Sequence, residues 1–186
     1  MVHNRAYPLW NMAFPASNNC HRKWYPHPCG YYGDPKRSCR CSPRQIENYR
    51  QRISGPLLDR IDLHVEVPLV DFRELSSNTN IGEASAVIRQ RVVAARGIQH
   101  ERFRRCGHST NSAMTSRQVR QHCQLDAEAT GYLEQAMEEM SFSARAHDRI
   151  HKVARTLADL AGSTNIRPQD ILEAIQYRSL DRKLFS

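Results

Sequence analysis

From about residue 83 to the end of this sequence, apolar residues recur at the spacing of amphipathic helices. Five helices are predicted, with starts near Glu83, Ser116, Asp126, Ser143 and Pro168. Serine and aspartate are favoured at helix N-caps and proline at the first helical position. Because each helix must bury its apolar stripe against a neighbour, the pattern predicts a small helical bundle and a mainly α fold.

One segment has a different period. Residues 61–67, Ile-Asp-Leu-His-Val-Glu-Val, alternate apolar and polar side chains, and Pro68 follows them. This alternation is typical of a half-buried strand. A single strand has no ladder partner, so we expect it to belong to the edge of a larger sheet. The sequence thus predicts a short α/β remnant with one strand and a cysteine-rich loop, followed by the helical bundle.

The charge of the chain bears on its partners. Its 186 residues carry a formal net charge of +8, with a pI of about 9.5. Such a surplus favours nucleic acid or nucleotide phosphates, although a solvated basic surface explains it equally well. The sequence has neither a run of apolar residues that would span a bilayer nor a signal-peptide pattern, so we expect a cytoplasmic protein without a membrane partner.

A cysteine-rich loop is the first candidate site. His27-Pro28-Cys29 and Cys39-Arg40-Cys41 form two close pairs separated by a turn at Gly33-Asp34-Pro35. In the reducing cytoplasm these thiols are not expected to form disulfides. Thiolate and imidazole are the ligands of tetrahedral zinc sites, so His27, Cys29, Cys39 and Cys41 are candidate Zn²⁺ ligands. The alternative is a set of reduced, partly buried thiols.

Several arginines are candidates for binding phosphate. Arg60 follows the Gly55-Pro56 turn at the start of the predicted strand, and Arg145 lies in the first turn of a long predicted helix. A helix N-terminus attracts phosphate, and guanidinium groups bind it in a bidentate manner. Each has an ordinary alternative, which is pairing with Asp59 or Asp62 for Arg60 and exposure to solvent for Arg145.

A basic helix is the candidate for binding nucleic acid. Its arginines are Arg89, Arg91, Arg96, Arg102, Arg104 and Arg105. The sequence contains no G-x-x-x-x-G-K-[ST] loop and no apolar strand that ends in paired acids. We therefore expect no complete nucleotide-hydrolysing site within this chain.

Three stretches together resemble one family. These are residues 28–41 with the cysteine loop, residues 53–68 (ISGPLLDRIDLHVEVP) and residues 143–182 (from SARAHDRIHKVARTLADLAGS to SLDR). In this order they are similar to magnesium-chelatase-like AAA+ ATPases of the ComM/YifB type. The resemblance implies three parts, namely a leader without resemblance (1–28), the C-terminal edge of the AAA+ core (29–80) and a helical lid (81–186).

The resemblance also implies roles. ATP and Mg²⁺ lie between neighbouring subunits of a homo-hexameric ring in this family. Arg60 matches the arginine finger that acts in trans, and Arg145 matches the nucleotide-sensing arginine of the lid. ComM-type proteins process DNA during competence, whereas the chelatase relatives insert magnesium into a porphyrin, and the positive charge favours the DNA role.

The departures from the family pattern are specific. Tyr25 stands where the family has a sensor asparagine, and His27 stands in the place of the first cysteine. We therefore expect a truncated ATPase that is not catalytic alone, with residues 1 to about 25 read from a foreign frame. Two alternatives are a small basic nucleic-acid-binding module and a non-catalytic partner that joins an intact ring and donates Arg60.

Overall fold

The computed structural model describes residues 28–31, 38–50, 61–65 and 82–178. The chain divides into two compact units, Met1–Ser54 and Gly55–Ser186. In the first unit, helix α1 (Pro43–Arg50) follows the cysteine-rich loop. Its start is fixed by Ser42, whose Oγ accepts a hydrogen bond from the Gln45 amide, while Gln45 Oε1 accepts one from the Ser42 amide. These reciprocal bonds form a capping box, which satisfies two backbone amides at the helix start.

In the second unit, residues 82–178 form five α-helices joined by turns and short loops. Its helices are α2 (Ser85–Arg102), α3 (Ser116–His122), α4 (Ala127–Met140), α5 (Ala144–Leu160) and α6 (Pro168–Gln176), with a 3₁₀ turn at Asn111–Ala113. Asp126 and Ser143 cap α4 and α5 as predicted, by accepting hydrogen bonds from the Ala129 and Ala146 amides. Thr115, rather than the predicted Ser116, caps α3. The predicted mainly α fold is confirmed.

Helix α5 lies at the centre of this bundle and packs against α2, α3, α6 and the 3₁₀ turn. Ile150, Ala154 and Ala158 on α5 are fully buried at 0% exposure, and Ile171 of α6 packs in the same cluster. Small side chains at positions four residues apart let the neighbouring helices approach α5 closely. Leu157 is only partly buried at the edge of this core.

The predicted apolar face of α2 is only half used. Ala95 is buried, but Ile88 and Val92, which lie on the same face of the helix, are 42% and 44% exposed. Among the described residues, burial on α2 is confined to its C-terminal half. The spacing of the apolar residues predicts which side chains share a face of the helix. How much of that face a neighbouring helix covers depends on the tertiary packing.

The predicted strand is not formed at residues 61–65, and residues 66–67 lie outside the described part of the chain. In place of a β ladder, the His64 amide donates to the Tyr177 carbonyl at 2.7 Å, and Arg178 donates to the Ile61 carbonyl at 2.8 Å. Alternation predicts which side chains share a face, but a strand needs a hydrogen-bonding neighbour. This segment bonds to the end of α6 instead.

A buried carboxylate joins the helices. Asp159 is 2% exposed and accepts two hydrogen bonds from Arg102, at 2.6 and 2.7 Å. It also accepts one from Asn111 at 2.8 Å and one from Arg155 at 3.1 Å. Burial raises the pKa of Asp159, but the hydrogen bonds from Arg102 and Asn111 and the neighbouring cations outweigh it and lower the pKa overall.

Arg155 extends the same network to the turn after α5. It is 3% exposed, and its guanidinium donates to the carbonyls of Thr164 and Ser163 at 2.8 and 2.7 Å. Those carbonyls follow the end of α5, where backbone acceptors need partners. One carboxylate therefore links α2, the 3₁₀ turn, α5 and the turn before α6.

We expect Asp159→Asn to lower the free energy of unfolding by about 3–5 kcal/mol, because it leaves two buried guanidinium groups without their anion. The matched control is Asp148→Asn on the same helix, whose side chain is 34% exposed and accepts a single bond from Ser116. The control should change stability by less than about 1 kcal/mol. Urea unfolding followed by circular dichroism measures both.

The same carboxylate predicts a pH dependence. The folded-state pKa of Asp159 is lowered, so the stabilisation of the fold by its ionised carboxylate is complete above the ordinary pKa of an aspartate. That stabilisation is lost as the pH falls through the lower, folded-state pKa. Asp159→Asn should therefore show a shallower acid transition than the unaltered chain. Equal stabilities and equal acid transitions for the two variants would contradict this role of Asp159.

Candidate functional site

Three of the four predicted zinc ligands come together in the cysteine loop of the first unit. The Sγ atoms of Cys29, Cys39 and Cys41 all lie within 4.8 Å of one another. Cys29 and Cys39 are 3.4 Å apart, and the Tyr31 amide donates to Cys29 Sγ at 3.4 Å. His27, the fourth candidate, lies outside the described residues. Thiols that are ten residues apart in sequence are thus brought into contact.

The thiols differ in acidity. The Tyr31 amide lowers the pKa of Cys29 against the opposing effect of burial, and the thiols of Cys41 and Cys39 lower it further. Burial raises the pKa of Cys41 to about 11, and its hydrogen bond to Cys29 adds to the rise. Of these two thiols, Cys29 is therefore the more readily deprotonated.

These sulfur positions fit a zinc ion. Tetrahedral coordination with Zn–S bonds of about 2.3 Å places the sulfur atoms roughly 3.8 Å apart. The sulfur–sulfur distance of 3.4 Å between Cys29 and Cys39 is shorter than this value, and a small side-chain rotation would remove the difference. A soft divalent cation would deprotonate the remaining thiols and replace their mutual hydrogen bonds. The loop can thus hold a metal ion through three sulfur ligands, with one coordination position left for a further ligand.

The second candidate site is the start of α5. Arg145 lies in its first turn and is exposed, and this turn contains no acidic residue. Ser143 Oγ accepts a hydrogen bond from the Ala146 backbone amide at 3.2 Å. The backbone amides of this turn are therefore oriented as in a regular capped helix. The positive end of the helix and an exposed guanidinium therefore lie together, which is unfavourable without an anion and favourable with one.

Arg60 lies outside the described residues, but the segment that follows it is described. Asp62 forms an ion pair with Arg149 of α5. Sequence reasoning proposed Asp62 as a partner of Arg60 and missed Arg149 and Arg178 altogether. Both lie far from residue 61 in the sequence, and no local pattern marks an arginine that will contact a distant backbone.

The six arginines of the basic helix do not form one surface. Arg102 donates hydrogen bonds to Asp159 and Asn111, and it is only partly exposed. Arg91 pairs with Glu83 at 2.6 Å, and Arg104 lies 3.9 Å from Glu101. Arg89, Arg96 and Arg105 are exposed. Arg89 and Arg96 are seven residues apart on α2 and therefore share one face.

Comparison with known families agrees with this architecture. The family described as "Magnesium chelatase, subunit ChlI C-terminal" matches residues 82–178, more than half of the chain, and "Magnesium chelatase, subunit ChlI" matches residues 6–75. The chain therefore belongs to the magnesium-chelatase family, and the resemblance found in the sequence is confirmed. The match from residue 6 corrects the expectation that the leader shares nothing with the family.

Individual relatives support the same assignment. The chain is 38% identical over 171 residues to the competence protein ComM of Haemophilus influenzae, which covers 92% of this chain and 32% of that protein. It is 39% identical over 173 residues to the uncharacterized protein YifB of Escherichia coli, covering 93% of this chain and 33% of the relative. The chain thus spans about a third of the length of the curated relatives it matches.

One further finding concerns membranes. None of the helices in the described residues is long and apolar enough to cross a bilayer.

We expect the purified chain to carry about one zinc ion, because its clustered thiols match the geometry of a tetrahedral site. The substitutions Cys39→Ser and Cys41→Ser should abolish retention of zinc after dialysis, as measured by elemental analysis. Cys106→Ser is the control, since Cys106 is an exposed thiol in the other unit. Metal retention that is equal in all three variants would contradict the site.

Proposed function

We propose that this chain is the lid and finger-bearing part of an AAA+ ATPase of the ComM/YifB type, and that it acts on an ATP site completed by another subunit. The observation that carries the proposal is the exposed Arg145 at the start of α5, in a helical unit that matches the family's C-terminal part. The chain would be a non-catalytic partner of intact ring subunits.

Arg145 would sense nucleotide. An exposed guanidinium beside the amides of a capped helix start offers charge-assisted hydrogen bonds to phosphate oxygens. The central packing of α5 makes that helix a rigid platform, since Ile150, Ala154 and Ala158 are fully buried. Binding of an anion at Arg145 would therefore affect the position of the whole bundle.

Arg60 would supply the arginine finger. A guanidinium that reaches the γ-phosphate of a neighbouring subunit stabilises the charge of the phosphoryl-transfer transition state, and such fingers are worth about 10³–10⁵ in rate. The bound ATP and Mg²⁺ would be held by the phosphate-binding loop of that subunit. With His27 as the fourth ligand, the zinc candidate site in the cysteine loop would have a structural role, because four protein ligands leave no position for substrate.

The chain by itself would not hydrolyse ATP. Its sequence contains no G-x-x-x-x-G-K-[ST] segment, and Tyr25 stands at the position of the family's sensor asparagine. The backbone amides of the missing loop supply most of the anion binding at such sites. The lysine of that loop and the hydroxyl that holds Mg²⁺ are missing with it.

The test uses ComM of Haemophilus influenzae in which the arginine that aligns with Arg60 is replaced by alanine. We expect the present chain to show no ATPase alone and to restore Mg²⁺-dependent ATPase to this variant. Arg60→Ala in the added chain should remove the restored activity by a factor of about 10³ or more.

The control is Arg89→Ala, an exposed arginine of α2 that should leave the restored ATPase unchanged. Stoichiometric ATPase from the purified chain alone would refute the non-catalytic role. If the chain fails to restore activity to the ComM variant, the donation of Arg60 is refuted.

A second candidate function is binding of DNA, favoured by the shared face of Arg89 and Arg96 and by the net charge of +8. Each phosphate contact contributes to a fall of affinity with salt, with a slope close to −0.9 per contact on duplex DNA. We expect Arg89→Ala combined with Arg96→Ala to reduce that slope by about two. Arg91→Ala, whose guanidinium pairs with Glu83, is the control and should change it less.

Fluorescence anisotropy with a labelled duplex measures the slope between about 50 and 200 mM salt, the range over which phosphate contacts weaken strongly. A flat salt response of the unaltered chain would remove this function.

A further inference from the structure

The residues that follow Arg60 are fixed to the lid by two of its arginines. Arg149 of α5 pairs with Asp62, and Arg178 after α6 donates to the Ile61 carbonyl. We infer that Arg149 and Arg178 are positioning residues, which hold the segment 61–65 on the helix that carries Arg145. The inference rests on the proposed function, because it concerns how the finger would be placed.

Arg178 is the buried part of this attachment. It is 1% exposed, its Nη1 lies 2.8 Å from the Ile61 carbonyl oxygen, and its guanidinium carbon lies 6.0 Å from the centre of the Phe142 ring. Phe142 directly precedes Ser143, the cap of α5. A buried cation needs partners, so the Ile61 carbonyl contributes to the stability of Arg178 where it lies. Segment 61–65 and the start of α5 are thus held around one guanidinium.

Arg149 is the partly exposed part of the attachment. The side chains of Arg149 and Asp62 are 32% and 45% exposed, so their attraction is screened by water and adds little to global stability. An ion pair of this kind orients a backbone more than it stabilises a fold. The His64 amide adds a third contact, to the Tyr177 carbonyl at 2.7 Å. Together the three contacts restrain Ile61, Asp62 and His64.

The arrangement joins the segment that directly follows Arg60 to the helical unit that carries Arg145. Arg149 follows Arg145 by one turn of α5, about 6 Å along the helix axis. Arg60 is joined to Ile61 by a peptide bond, so the position of Ile61 limits where its guanidinium can reach. A change in the lid that follows nucleotide binding at Arg145 would move segment 61–65 with it. Arg149 would then transmit the nucleotide state of one subunit to the site of its neighbour.

A charge exchange tests this inference. The single variants Asp62→Arg and Arg149→Asp place like charges opposite each other, whereas the double variant restores an ion pair in reversed order. Hydrogen exchange of the amides of residues 61–65 is measured on the whole chain. We expect about two- to five-fold faster exchange in the single variants, the range that corresponds to a partly exposed ion pair, and recovery in the double variant.

The second readout is the ATPase that each variant restores to the ComM variant. The single variants should lower kcat with little change in the KM for ATP, and the double variant should recover kcat. Arg178→Lys keeps a donor for the Ile61 carbonyl and should retain more of both properties than Arg178→Ala. A purely structural role of Arg149 would leave kcat unchanged once the variants are added in equal folded amounts.

The outcomes separate this inference from the proposed function. Unchanged exchange in the single variants overturns the positioning role. Altered exchange with unaltered kcat overturns the coupling but leaves the donation of Arg60 standing. If the unaltered chain restores no ATPase, the proposed function fails and the coupling fails with it, whatever the exchange shows.

Discussion

The carboxylate of Asp159 is the interaction on which the described helical unit depends. It accepts hydrogen bonds from Arg102, Asn111 and Arg155, and Arg155 in turn bonds to the turn before α6. A buried carboxylate is costly unless it is paired, and here its partners come from three separate parts of the chain. The pairing therefore specifies how α2 meets α5, since α2 buries few apolar side chains of its own. Helix α5, which carries Arg145, is thus held against α2 by this contact.

Much of the helical unit could be predicted from local sequence, because its signals are local. The caps at Asp126 and Ser143 and the apolar spacing of α5 are set within a few residues. The contact between Arg102 and Asp159 could not be predicted, because the two residues lie 57 positions apart and the local sequence around an arginine does not show which distant carboxylate it will meet. The segment 61–65 was predicted as a strand for the same reason, since alternation does not show which backbone will accept its hydrogen bonds. The cysteine cluster was found because the turn and the close spacing of the thiols are both local.

The two candidate sites have different chemical characters. The thiol cluster is a set of three soft ligands that can close around a metal ion and hold a polar loop in one conformation. The start of α5 is an open cationic surface that favours a mobile anion such as a nucleotide phosphate. These two characters agree with the proposed function, in which the chain contacts a nucleotide site whose phosphate-binding loop belongs to another subunit. The family match from residue 6 extends the relationship into the leader, where Tyr25 departs from the pattern expected around a sensor asparagine.

The proposed function requires this chain to join a ring with complete subunits. Native mass spectrometry of the chain mixed with ComM of Haemophilus influenzae, in the presence of ATP and Mg²⁺, measures this assembly. We predict assemblies in which one or more ComM subunits are replaced by the chain, with a mass reduced by the difference between the two proteins for each replaced subunit. Separate ComM rings and free chain at every mixing ratio would refute the proposed function.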